Sequence, residues 1–73
     1  MQARDYPVVV EPLPESKGGG FVAYAPDLPG SLSDGDTPDE ALRNAYDAIA
    51  VWLERAITMG RALPQPSPQR RTA

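Results

Sequence analysis

Thr37-Pro38-Asp39-Glu40 fixes the start of a helix, and the rest of the chain must be arranged around it. Thr37 is a good N-cap, because its hydroxyl can accept from a free N–H of the first turn. Pro38 suits the first helical position, where its missing N–H costs nothing. Glu40 stands three residues after Thr37 and completes the capping-box pattern. Asp39 and Glu40 favour the positive end of the helix dipole. Leu42, Ala45, Ile49, Trp52, Leu53 and Ala56 then recur at helical spacing as one apolar stripe, with Arg43, Asp47 and Glu54 opposite. Gly60 is the expected stop, so the spacing predicts a helix over residues 38–59.

The residues ahead of the helix read as short strands broken by turn formers. "YPVVVE" at 6–11 is rich in β-branched residues and bounded by turn formers. Tyr6, Val8 and Val10 are expected on one face, Val9 and Glu11 on the other. "PLPESKGGG" is a loop, and "FVAYA" at 21–25 returns as the second strand of a hairpin. Phe21, Ala23 and Ala25 share one face of it; Val22 and Tyr24 share the other. "PDLPG" is a tight reversal, with Pro29 fixing φ and Gly30 permitting a positive φ. "SLS" at 31–33 is expected as the third strand with Leu32 inward, followed by Asp34-Gly35 as a turn pair. The expected fold is α+β, a three-stranded antiparallel meander packed on one long helix (β-β-β-α). A helix of this length runs about 33 Å, whereas such strands span about 20 Å. The C-terminal helical turns therefore overhang the sheet, and Trp52, Ala56 and Met59 become a candidate partner surface. Tyr24 is a further candidate interface residue.

Residues 1–60 are read as the folded domain and 61–73 as a proline-rich tail. Pro64, Pro66 and Pro68 exclude a central strand there, and the segment is expected to be too polar to pack, hence extended and mobile. Arg61, Arg70 and Arg71 lie in this tail. All ten acidic residues lie in the first 60, against Arg4, Lys17, Arg43 and Arg55, which leaves that body at −6. Such a body is a poor match for phosphate and a fair match for a basic protein.

Five of the carboxylates, Asp27, Asp34, Asp36, Asp39 and Glu40, fall between Tyr24 and Ala45. A metal-dependent nuclease would need such groups to converge on ions about 3.5–4 Å apart. Turn and cap chemistry accounts for each residue separately: Asp27 before Pro29, Asp34 beside Gly35, Asp36 leading into the cap, Asp39 and Glu40 in the first turn. The chain has no cysteine and no histidine, which removes thiol chemistry, imidazole catalysis and the usual zinc sites. The glycines at 18–20 precede a strand rather than a helix, the wrong order for a phosphate cradle. No catalytic residue, cofactor or metal is expected. No apolar run approaches membrane-spanning length and no signal-peptide pattern opens the sequence, so a cytoplasmic location is expected.

The strand, the "GGGFVAYAPDLPG" hairpin, "SDGDTPDEA" opening the helix, Trp52-Leu53-Glu54 and the later "LPQPS" together resemble the HicB family of type II antitoxins. The resemblance covers residues 5–67. It implies a partial ribonuclease-H-like fold lacking that fold's catalytic carboxylates. It also implies a partner, a small basic HicA-type toxin that cleaves messenger RNA and is neutralised by binding. Many members continue into a DNA-binding region; a short form without one is expected here, with DNA binding absent or weak. The alternative is an orphan oligomeric scaffold for another protein partner. A core this small and sheet edges this open predict a homo-oligomer, most simply a dimer.

Overall fold

A computed structural model describes residues 2–68, with the backbone order 3-10 turn, β1, 3-10 turn, β2, β3, α1. Strand β1 is Val9–Pro12, β2 is Phe21–Tyr24 and β3 is Ser33–Gly35. They form one antiparallel sheet in the order β1-β2-β3. Helix α1, Pro38–Thr58, packs on one face of it. The expected β-β-β-α architecture is therefore the observed one. Among the described residues no helix is long and apolar enough to cross a membrane.

Local chemistry sets the helix ends. The Thr37 hydroxyl accepts from Glu40 N–H at 3.1 Å. The Glu40 carboxylate reaches back to the N–H of Asp36 at 3.4 Å, one residue before the cap rather than to the cap itself. At the far end Arg61 N–H donates to Ala56 O and Gly60 N–H to Ile57 O, the paired bonds of a Schellman stop. Thr37→Ala is expected to cost about 1 kcal/mol. Urea unfolding checks this; an unchanged midpoint would place the helix start elsewhere.

The core has two parts. Tyr6, Ala25, Leu28, Ile49 and Leu53 form the larger, joined at its edge by Val8, Tyr46, Trp52 and Leu63. Ala23, Ala41 and Ala45 form a thinner layer near the helix start, flanked by Val8, Val10 and Phe21. The layer is thin because β3 meets the backbone of α1 there. A Cβ on Gly35 would stand 2.5 Å from Ala41 N. Only alanine-sized side chains fit so close an approach, so Ala41 is buried and Leu42 of the expected stripe is half-buried.

Three expectations need correction. Tyr6 precedes β1 rather than opening it, in a bend after the 3-10 turn Ala3–Asp5, although its ring is buried as expected. The third strand starts two residues later than expected, so Gly35 belongs to β3 and not to a turn. Leu32 is 65% exposed instead of inward. Leu28 fills the core from within the reversal, and buried Ser31 uses its hydroxyl to bond both Ala25 N–H (3.1 Å) and Ala25 O (3.2 Å). Burying Leu32 would require the segment to flip, and those two bonds would be lost. The reversal otherwise behaves as read, with Gly30 at φ +86°.

Residues 61–68 carry neither helix nor strand. They nonetheless pack: Leu63 touches the larger core and Pro64 O accepts from the Tyr6 hydroxyl at 2.5 Å. Arg70 and Arg71 lie outside the described residues.

Candidate protein-interaction site

The carboxylates of the acidic stretch are used one at a time. Asp27 accepts from Ser67 N–H at 2.7 Å and from the Ser67 hydroxyl at 2.6 Å. Asp34 lies in β3, where its backbone oxygen accepts from the Asn44 amide at 2.8 Å. Asp36 and Glu40 belong to the cap described above, and Asp39 to the first helical turn. Among the described residues no three acidic, histidine or cysteine groups are placed to hold a metal ion.

The Asp27–Ser67 contact joins residues 40 apart in sequence, and proline content alone gives no signal for it. The two bonds from Ser67 stabilise the carboxylate and hold its pKa below the usual carboxylate value. The unfolded chain therefore binds this proton more readily than the folded one. The stability this supplies is present above the unfolded pKa and is lost as pH falls through the lower, folded pKa. Ser67→Ala is expected to flatten the acid-side fall in melting temperature between roughly pH 5 and pH 2, the carboxylate titration range. Identical pH profiles for the two proteins would show that the contact does not form in solution.

Of the four candidate interface residues, Ala56 is buried and the other three divide between two places. Met59, 64% exposed, caps the C-terminal end of the helix with Arg55 and Arg61 beside it. Trp52 is half-buried and its indole N–H donates to Pro29 O at 3.1 Å, tying the helix to the reversal. Ala56 is in the core. Tyr24 is elsewhere, on the face of the sheet that the helix does not cover. Its hydroxyl donates to the Glu11 carboxylate at 2.9 Å, which raises the phenol pKa. Near it Leu13, Val22, Leu32, Ser33 and Asp34 line a shallow hollow. The sequence reading put Leu32 inward and so missed this hollow.

The remaining roles are structural. Pro29 receives the Trp52 bond, Gly30 turns the reversal, and Thr37, Pro38 and Glu40 build the helix start. Gly35 serves close packing.

A family model described as the HicB-like antitoxin of bacterial toxin-antitoxin systems matches residues 6–72. Among curated relatives, "Antitoxin HicB 1" of Photorhabdus laumondii is 43% identical over 63 residues, covering 86% of this chain and 39% of that protein. "Antitoxin HicB" of Escherichia coli K12 is 35% identical, covering 86% and 44% respectively. A UPF0150 protein of Synechocystis is 42% identical over 60 residues, covering 82% of this chain and 78% of that protein. The chain thus spans about two-fifths of the length of the relatives named as antitoxins.

Proposed function

Because the chain belongs to the HicB-like antitoxin family of bacterial toxin-antitoxin systems, we propose that it neutralises a small basic HicA-type toxin in the cytoplasm by binding it. The observation that carries the reading beyond family membership is the pairing of an acidic body with uncovered apolar surface. Residues 1–60 carry −6, and Leu32 and Met59 are each more than 60% exposed. A basic ribonuclease meets both demands of such a surface: cations for the carboxylates and an apolar patch to bury. Neutralisation by binding needs no catalytic group on this chain. Nucleic acid is a poor match for the same body, since phosphate binding draws on Lys and Arg.

The protein is also proposed to self-associate. The sheet has two edges, β1 and β3; the Asn44 amide already bonds the Asp34 backbone oxygen of β3, so β1 is taken as the pairing edge. Monomer alone in sedimentation at roughly tens of micromolar would remove this part of the proposal. A second reading is an oligomeric scaffold for a different protein partner.

The deciding experiment is co-purification with the small basic protein encoded beside this gene. A stable complex at micromolar concentration supports the antitoxin reading. Absence of a complex, or of any such neighbour, favours the scaffold.

A further inference from the structure

We infer that the uncovered face of the sheet, and not the end of the helix, is where the basic protein partner docks. The inference rests on the antitoxin reading and adds to it the surface used. Strand register builds this face. Val9 stands opposite Tyr24, and Glu11, Val22 and Asp34 form one row across the three strands. The alternate residues Val8, Val10, Phe21 and Ala23 pack toward the helix, so this row and its neighbours point away from it. Leu32 stands beside the row, 65% exposed, and shares the hollow with Leu13 and Val22.

The face is thus aliphatic in the middle and carboxylate at both edges, with Glu11 on β1 and Asp34 on β3. One Glu11 oxygen accepts from Tyr24. The Asp34 contact to Asn44 uses the backbone, so its carboxylate is not engaged there. An apolar centre within a charged rim is the ordinary anatomy of a protein interface.

The other exposed apolar positions suit a basic partner less well. Met59 at the helix end is flanked by Arg55 and Arg61, two guanidinium groups that repel a cationic protein. Val51 and Ile57 are exposed on the helix but stand apart around its circumference, with Asp47 and Glu54 between them. Single exposed apolar residues of that kind are ordinary surface. Lys17, in the hairpin loop beyond the hollow, shares its short turn with Glu15. The Leu32 hollow differs in gathering Leu13, Val22 and Leu32 beside the Asp34 carboxylate in one concave surface.

The test is calorimetric titration with a purified HicA-type toxin at physiological salt. Leu32→Arg and Asp34→Lys are each expected to weaken binding about tenfold or more, the scale of a central interface residue. Arg61→Glu and Met59→Ser are expected to leave it within about twofold. Leu32 and Met59 are largely exposed, so their variants should keep the wild-type melting temperature, which is measured alongside. Undiminished binding by Leu32→Arg, or equal losses at both surfaces, overturns the assignment of the surface while the antitoxin reading stands. Failure of the unmodified protein to bind overturns both.

Discussion

Replacing Gly35 with alanine is expected to destabilise the fold by about 3 kcal/mol, the upper range for overpacking. The added methyl would lie 2.5 Å from Ala41 N and 2.9 Å from Glu40 C. Both are backbone atoms in the first turns of the helix, so no side chain can rotate away. Either β3 or the helix start must withdraw. The alanine layer of Ala23, Ala41 and Ala45 then loses the packing that its small side chains permit. Gly30→Ala is the control. Its φ of +86° makes it costly, yet nothing lies within 4 Å of the new methyl. About 1–2 kcal/mol is expected there, from backbone strain alone. Denaturant unfolding of the two variants separates packing from strain. Equal losses would mean that β3 and the helix do not approach as described.

Tyr6→Ala is the other severe change. The ring is fully buried and meets Ala25, Leu28, Ile49 and Leu53. Its hydroxyl donates to Pro64 O across 58 residues of sequence. Burial, with Asp27 and Asp5 nearby, raises the phenol pKa, so the donor keeps its proton at neutral pH. Removing a large buried aromatic costs about 3–5 kcal/mol. A domain of this size has roughly 4–11 kcal/mol in total. Tyr6→Ala is therefore expected to be substantially unfolded at 37 °C. Tyr6→Phe keeps the ring and gives up the hydroxyl bond, at about 1 kcal/mol. Circular dichroism melts distinguish the two. A near-native melt for Tyr6→Ala would contradict the position of the ring in the core.

Legibility in the sequence followed the range of the forces involved. The helix start depends on Thr37, Pro38 and Glu40, which act on their own turn, and it falls where the pattern puts it. The helix ends at Thr58, one residue short of the expected 59, because Met59 and Gly60 form the stop. The sequence pattern places the third strand two residues early. "LPGSLS" offers Leu28 and Leu32 as alternative core residues, and the pattern does not choose between them. Ser31 decides through its bonds to Ala25, a contact six residues away that hydrophobic pattern does not encode.

That shift also hid the hollow on the sheet. A strand residue assigned to the wrong face takes its surface with it. The prolines of residues 61–68 correctly signalled the lack of regular structure. They carried no information on whether Leu63, Pro64 and Ser67 would find partners in Tyr6, the core and Asp27. Trp52 shows the same limit: helical spacing put it on the apolar stripe but gave no hint of its bond to Pro29.

The chain is proposed to act by binding a basic ribonuclease, so a titration of ribonuclease activity is the direct test. A purified HicA-type toxin is assayed on a messenger-RNA substrate while this chain is added in steps. Cleavage is expected to fall steadily and stop near a stoichiometric amount, with no cleavage by this chain alone. Undiminished cleavage in the presence of excess folded chain would contradict it.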